Sequence, residues 1–411
     1  MEKVDVLLYG KSTPSSNLLS SLQENIDCIN SIVLFSGNPL INSLKEAGFS
    51  LRILDMNCKN EAQEKNTLIS HAATDYVLFL RTDFSLEEDL IEELLEELEE
   101  TKNVDVIYPN LIVKVGEQEK IVNFPELYGS ETMVLHGLSV EDCLPESAVL
   151  VRRSLFEEVG WFSENYDDFD FYEYIYRNLK NMKLKLASVS YVFFEPQDSF
   201  VDTSYRSYAI RKTVLPRYDW KKEIFPFLSW DKSPEIAYAT ACTLIGNRLS
   251  YYYDFLNASD FYRRGLLEFH NQETLRQLIK AYVDMGLFVE AKKLISKDQG
   301  LDEKEIENFA FYIDRIQKLV FELEKAIEEG KLVESLHAIQ EVVKFYSGAP
   351  IHNILGVLKW IEKKEKEAYQ FFFKAVTMNP LNEDYLYNLS ETAKLLNKQG
   401  EVIRLIERIT G

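Results

Sequence analysis

Cysteine is scarce in this chain, and Cys28, Cys58, Cys143 and Cys242 stand far apart with no C-x-x-C pair. That spacing points to neither a zinc site nor a disulfide framework. No apolar run approaches the roughly 18 residues a membrane-crossing helix needs. Neither G-x-G-x-x-G nor G-x-x-x-x-G-K-[ST] occurs, so the two common glycine-rich phosphate loops are excluded. Positive charge is short as well: 46 Lys and Arg face 67 Asp and Glu, a net charge of −21. Such a balance argues against non-specific nucleic-acid binding and against an anionic membrane surface. The opening MEKVDVLLYGKS lacks a long apolar core of the signal-peptide kind, so a cytoplasmic location is the expectation.

What is present is ample material for packed cores. Of the 411 residues, 46% are hydrophobic and 13% aromatic, enough for two or three domains. In the first half, apolar runs at Val4–Tyr9, 31–35, 51–54 and 76–80 alternate with helical stretches near 17–25, 40–47 and 61–73. Short connections between strands and helices predict an α/β domain with a mostly parallel, Rossmann-like sheet. Ligands of such sheets lie beyond the carboxyl ends of the strands, so the loops after Tyr9, Phe35 and Leu80 form the expected functional rim. Ser85 with Glu88 predicts a capped helix over 85–102, whose acids form a solvated face. Further strands are expected at 104–108, 110–115 and 186–194, with a poorly periodic loop over 121–139 that carries His136.

The most distinctive stretch runs from Pro145 to Phe171, PESAVLVRRSLFEEVGWFSENYDDFDF. It reads as a short strand ending in Arg152 and Arg153, then a short helix capped by Ser154 with Glu157 in the capping box and stopped at Gly160. Asp167, Asp168 and Asp170 follow, just ahead of an aromatic run. Carboxylates this close repel one another, which favours one of them as a base; a solvated helix start is the plainer reading.

The pattern of strand, paired arginines, short helix, G-aromatic-F and acidic-D-x-D resembles the acceptor side of family 2 glycosyltransferases with the GT-A fold. The resemblance places Asp167 and Asp168 on the family's acidic pair, with Asp168 as the base for the acceptor hydroxyl. It places Asp170 on the motif's second aspartate, with Arg153 and Trp161 on the acceptor side. KNTLISHAATDYVLFLRTD resembles the family's donor segment, with Asn66 on its asparagine and Arg81-Thr82-Asp83 on its D-x-D. Only Asp83 of that motif remains. The resemblance implies a nucleotide-sugar donor near Tyr9, Ser36, Asn66, Arg81 and Asp83. It also implies a divalent Mg2+ or Mn2+ ion held by Asp83, with Glu195 a second oxygen ligand. Ser36-Gly37-Asn38 stands where the family has a nucleotide-reading acid, and Arg81 could instead carry the diphosphate charge.

From about Pro234 the strand signal gives way to helical periodicity with a unit of 33–34 residues. Ala258, Ala291, Ser335, Ala368 and Val402 mark successive second-helix positions, with one long interval that implies an insertion near 299–308. The stretch 349–382, with Gly356, Ala368, Phe372, Ala375 and Pro380, resembles a tetratricopeptide (TPR) repeat. That resemblance implies a helical stack that binds a peptide or protein.

The expected organisation is a GT-A-like domain over 1–215, a linker over 216–233 and an all-α, TPR-like domain over 234–411. The expected activity is a hexosyltransferase-type transfer of a sugar from a nucleotide-sugar donor to a hydroxyl of a protein or surface glycan. In that scheme the repeats hold the acceptor or a protein partner. The alternative is a catalytically degenerate GT-A domain that serves as a scaffold or binding module beside the repeats.

Overall fold

A computed structural model describes residues 3–10, 13–101, 103–115, 118–124, 144–166, 169–194, 202–297 and 301–411. The chain divides into two compact units, one of residues 1–201 and 209–224, the other of 202–208 and 225–411.

The first unit is built on a mixed nine-stranded sheet. Its strands are β1 (Val4–Tyr9), β2 (Ile29–Phe35), β3 (Leu51–Leu54), β4 (Tyr76–Arg81), β5 (Phe84–Leu86), β6 (Val106–Val115), β7 (Gln118–Val122), β8 (Val149–Arg152) and β9 (Leu184–Phe194). The order is β3-β2-β1-β4-β8-β6-β9-β5, with β7 paired to β6. The strands β3, β2, β1 and β4 are parallel, as the apolar runs of β1, β2 and β4 predict. Beyond β4 the sheet is mixed rather than mostly parallel: β6 and β9 pair parallel, but the other pairings do not. β8 enters antiparallel between β4 and β6, and β5 and β7 pair antiparallel as well. Strand direction follows from how the chain returns to the sheet, which composition does not encode.

Helices α1 (Leu18–Glu24), α2 (Ile41–Glu46), α3 (Glu61–Ser70), α4 (Leu90–Glu100), α5 (Leu155–Val159) and α6 (Asp170–Asn178) belong to this unit, as do short helical segments at 210–217 and 220–224. One sheet face packs Val6, Leu8, Leu78 and Leu80 against residues of α1 and α4. The other centres on Phe79, which meets Tyr9, Phe156, Phe162 and Phe171 edge-on with ring centres 5.6–6.4 Å apart. Edge-to-face contacts of this kind add to simple area burial.

Three local expectations are corrected. The helix expected from Ser85 begins only at Leu90, because Phe84, Ser85 and Leu86 form a buried edge strand on β9. The two strands expected over 104–115 are one strand, β6, whose register on β9 shifts between Pro109 and Asn110. Proline has no N–H for the ladder, so the register breaks there without ending the strand. Ser154 precedes α5 but makes no cap to its backbone; its hydroxyl bonds Glu158 instead.

The second unit is all-helical. Its long helices are α7 (Pro234–Tyr251), α8 (Phe255–Glu268), α9 (Gln272–Asp284), α10 (Phe288–Lys297), α11 (Glu303–Glu328), α12 (Leu332–Val342), α13 (Ala349–Ile361), α14 (Glu365–Met378), α15 (Glu383–Leu396) and α16 (Gln399–Thr410). Ala258, Ala291, Ala368 and Ser335 are fully or almost fully buried. A Cβ on Gly246 would sit 2.4 Å from the Tyr262 ring, and one on Gly356 would sit 2.5 Å from the Phe372 ring. The α7–α8 and α13–α14 pairs therefore close by seating an aromatic ring directly on a glycine. Part of the long interval in the repeat is taken up by α11, which is 26 residues long.

Candidate functional site

The parallel strands β1 and β4 end together, with Tyr9 opposite Arg81 in the ladder. Tyr9 lies at the floor of this rim, 2% exposed, and its hydroxyl donates to the Glu146 carbonyl at 2.9 Å. The next residue, Gly10, has φ +96°, and a Cβ there would stand 2.9 Å from Arg81 Cγ. Glycine at this turn lets the Arg81 side chain cross the chain, and any other residue would be both strained and in collision.

Arg81 is held on every side. Its Nε donates to Asp83 Oδ1 at 2.6 Å, and its Nη1 donates to Glu146 Oε2. Its guanidinium lies 5.0 Å from the Phe84 ring centre and 5.5 Å from that of Phe194, two rings that stack at 4.7 Å. Its backbone N–H donates to Ser147 Oγ at 2.9 Å. Burial works against the guanidinium charge, but Glu146 and Asp83 outweigh it and hold the group protonated well beyond the usual arginine range. With both carboxylates ionised, the trio carries one net negative charge. Glu146 is the looser partner, with its side chain 26% exposed against 9% for Asp83.

Below this trio, on the other side of Tyr9, lies a buried ion pair. Lys65 Nζ sits 4.5 Å from the Tyr9 ring centre and donates to Asp170 Oδ1 at 2.6 Å. The two side chains are 2% and 0% exposed. Burial opposes the Lys65 charge, yet Asp170, Tyr9 and Glu61 together hold the ammonium protonated. Burial pushes the Asp170 carboxyl up, against the pull of Lys65. Glu64, on the same helix as Lys65, accepts from the Gly10 N–H at 3.4 Å. The aspartate singled out in the sequence is thus an internal anchor at the start of α6, and its partner lysine was not singled out at all.

The other expected residues scatter. Asn66 exchanges two hydrogen bonds of 3.0 Å with the Phe162 backbone, so its amide is engaged in tying α3 to the loop before α6. Ser36 is exposed at the end of β2 and donates to Asp55 Oδ1 at 3.0 Å, which puts a carboxylate at this corner of the rim from the neighbouring strand. Arg153 is not at the rim. Its N–H and Nε donate to Asp75 and Thr74 carbonyls just before β4, because β8 runs antiparallel to β4 and ends at the opposite edge. Trp161 packs 6.0 Å from Phe156 and accepts from Arg177 through its carbonyl. Asp167, Asp168, Glu195 and His136 lie outside the described residues.

Among the described residues, no three His, Cys, Asp or Glu side chains are grouped to hold a metal ion. Asp83 already gives an oxygen to Arg81, so the described part of the rim does not fit a divalent cation. What it offers is an arginine flanked by two acids, of which Glu146 is the more exposed. Glu146 and Lys65 were missed in the sequence. Glu146 stands immediately before a strand and Lys65 in mid-helix, positions with no pattern of their own.

No helix among the described residues is long and apolar enough to cross a membrane. No curated protein matches the chain. Solved structures similar to it include three of S. aureus TarS 1-349. The complex with UDP has a TM-score of 0.38 at 13% identity, covering 67% of this chain and 91% of that one. The complex with UDP-GlcNAc has a TM-score of 0.40 at 14% identity, covering 77% and 92%. A third TarS structure has a TM-score of 0.40 at 12% identity, with the same coverage. Residues 39–209, which hold Arg81, Asp83, Glu146, the Lys65–Asp170 pair and the acidic run before α6, match the family described as Glycosyltransferase like family 2.

Proposed function

We propose that this protein transfers a sugar from a nucleotide-sugar donor to an acceptor hydroxyl. The observation that carries the reading is the family match over 39–209, which takes in both the rim at the end of β4 and the acidic run at Asp167 and Asp168. In this reading a carboxylate of Asp168 removes the acceptor proton, assisted by the charge of Asp167 beside it. The freed oxygen forms a bond to the anomeric carbon as the bond from that carbon to the diphosphate breaks. Arg81 stabilises the charge that develops on the departing diphosphate once Glu146 has turned away. The acceptor is a protein or glycan, and the helical unit holds that acceptor or a protein partner. No step is routed through a metal ion.

A second reading is favoured by one observation. Arg81 is neutralised by Asp83 and Glu146, so the domain could serve as a binding module that has lost catalysis.

A screen of nucleotide sugars by thermal shift, each with and without Mn2+, tests both readings. A ligand that binds only the folded state adds about 2.7 kcal/mol of stability at a hundred times Kd, and so raises the unfolding midpoint. A shift with one donor, retained in Asp168→Asn while transfer is lost, supports the transferase. The absence of a shift with every donor supports the binding module, and normal turnover by Asp168→Asn removes that residue as the base.

A further inference from the structure

The stretch 60–66, at the start of α3, holds the chain on both sides of the acidic run. Ahead of the run, Asn60 Nδ2 donates to the Glu164 carbonyl at 2.6 Å, and Asn66 exchanges its two bonds with the Phe162 backbone. Behind it, Lys65 Nζ donates to Asp170 Oδ1. Asp167 and Asp168 are therefore bracketed in the chain by residues tied to one helix. Two further bonds stand at the edges of the run. The Phe169 N–H donates to the Tyr166 carbonyl at 2.9 Å, and the Tyr166 hydroxyl meets Thr213 Oγ1 at 2.8 Å.

The same stretch also reaches the rim. Lys65 Nζ lies 4.5 Å from the Tyr9 ring centre, and Glu64 accepts from the Gly10 N–H. One ammonium thus touches both the floor of the rim and the first residue of the helix after the acidic run. Stability alone does not call for charges here, because an apolar pair of similar volume often holds an interior equally well. The pair is also incomplete, since Asp170 Oδ2 has no hydrogen-bond partner among the described residues. What a salt bridge supplies and an apolar pair does not is a fixed separation. A 2.6 Å contact between side chains 2% and 0% exposed tolerates little sliding of α6 along α3.

We propose that Lys65 is a positioning residue for sugar transfer: through the Tyr9 ring and Asp170 it fixes the spacing between the floor of the rim and the acidic run. The role rests on Asp168 acting as the base. Displacement at carbon needs base, acceptor oxygen and donor in line, and a misplacement of about 1 Å can cost about a hundredfold in rate. Lys65 itself exchanges no proton in the step.

The test follows nucleoside diphosphate release from the nucleotide sugar that gives the largest thermal shift, with water as the acceptor. In that step Asp168 takes one proton of the water, the water oxygen bonds the anomeric carbon, and the diphosphate leaves with the electron pair of the broken bond. Variants of the full chain separate spacing from charge. Lys65→Met with Asp170→Leu removes the contact and should lower kcat about tenfold or more, with donor affinity by calorimetry changed less than about twofold. Asp170→Glu keeps both charges but lengthens the contact by a methylene, and should lower kcat by a similar factor. Asp170→Asn keeps the length and a hydrogen-bond acceptor, and should retain most of kcat. Amide exchange over 160–170, read by mass spectrometry, should quicken about tenfold in the double variant.

A double variant that turns over and exchanges like the wild type would make the pair purely structural and overturn the proposal. So would an Asp170→Glu chain more active than Asp170→Asn, because charge rather than spacing would then matter. That order decides the question even should the double variant fail to fold. Loss of turnover in Asp168→Asn beside normal turnover in these variants removes only the positioning role. Normal turnover in Asp168→Asn, or no donor turned over by the wild type, removes the transferase reading and the proposal with it.

Discussion

Lys65 and Asp170 stand 105 residues apart in the chain and 2.6 Å apart in the fold, both sealed from solvent. One comes from the middle of α3 and the other from the first residue of α6, so a single ion pair joins those two helices. Asp170 Oδ2 has no hydrogen-bond partner among the described residues. The pair is closed at Lys65, which also faces Glu61 and the Tyr9 ring, and open at one carboxylate oxygen.

Removing one partner strands the other charge in the interior. Lys65→Ala is expected to destabilise the first unit by about 3–5 kcal/mol, and a Lys65→Met, Asp170→Leu double variant to recover most of that loss. Urea unfolding of the single and double variants checks this. A double variant no better than Lys65→Ala would show that the pair itself does not hold the helices together.

Acid–base linkage gives a second reading of the same pair. Burial raises the folded Asp170 carboxyl from 3.8 to about 7, so the folded state keeps a proton that the unfolded chain has released. Its contribution to stability is full below 3.8 and is lost as the pH rises toward 7. Lys65 is also raised, so what it contributes is full below the ordinary lysine value of 10.5 and is lost only at alkaline pH. The unfolding free energy of the wild type minus that of Asp170→Asn should therefore fall between about pH 4 and 7. A difference that stays flat across that window would show that Asp170 does not titrate there.

The Arg81 trio makes a prediction with two signs. Glu146→Gln keeps a hydrogen-bonding group beside Arg81 but removes the excess negative charge, and should tighten donor binding by roughly three- to tenfold at low salt. Arg81→Ala should weaken it by about tenfold or more. Titration calorimetry with the nucleotide sugar that the thermal screen selects, with and without Mn2+, separates these. Equal affinities for the two variants would mean that the diphosphate does not meet Arg81.

Asn66 ties α3 to the loop before α6 through both amide atoms, so its loss should act on stability. Asn66→Ala leaves the Phe162 N–H and C=O without these partners, for about 1–3 kcal/mol. Thermal unfolding is expected to show the drop, with the Phe79, Phe162 and Phe171 cluster loosened in near-ultraviolet circular dichroism. An unchanged midpoint would free Asn66 for a role at the ligand.

In the helical unit, Gly356→Ala forces a methyl group onto the Phe372 ring and should cost about 1–3 kcal/mol, although alanine is the better helix former. Phe372→Leu in the same chain should return part of it. Stabilisation by Gly356→Ala alone would mean that helices α13 and α14 are free to separate.

Some of this was legible residue by residue. Apolar runs located β1, β2 and β4, because strands covered on both faces leave little polar period to misread; β3, with Arg52 in it and none of its residues buried, is a less covered edge. The 33–34-residue period located the helices around Gly356, Ala368 and Phe372, because each unit repeats the same local pattern. Other features were hidden. Ser85 has every local attribute of a helix cap, yet the demand of Phe84 and Leu86 for burial draws it into an edge strand. Arg153 looked like a neighbour of the acidic run, and the antiparallel entry of β8 carries it to the opposite end of the strands, beside the start of β4.

The sequence by itself determined the class of the two halves, the place of most strands and helices and the chemical types available at the rim, since these follow from local periodicity and side-chain chemistry. Tertiary structure alone decided that Arg81 is claimed by Asp83 and Glu146, that Asp170 is an internal anchor for Lys65, and that the Phe372 ring seats on Gly356. Those facts depend on strand direction, helix approach and distance through space. No local stretch of chain carries that information, because the partners meet only when the whole sheet and the whole helical stack have closed.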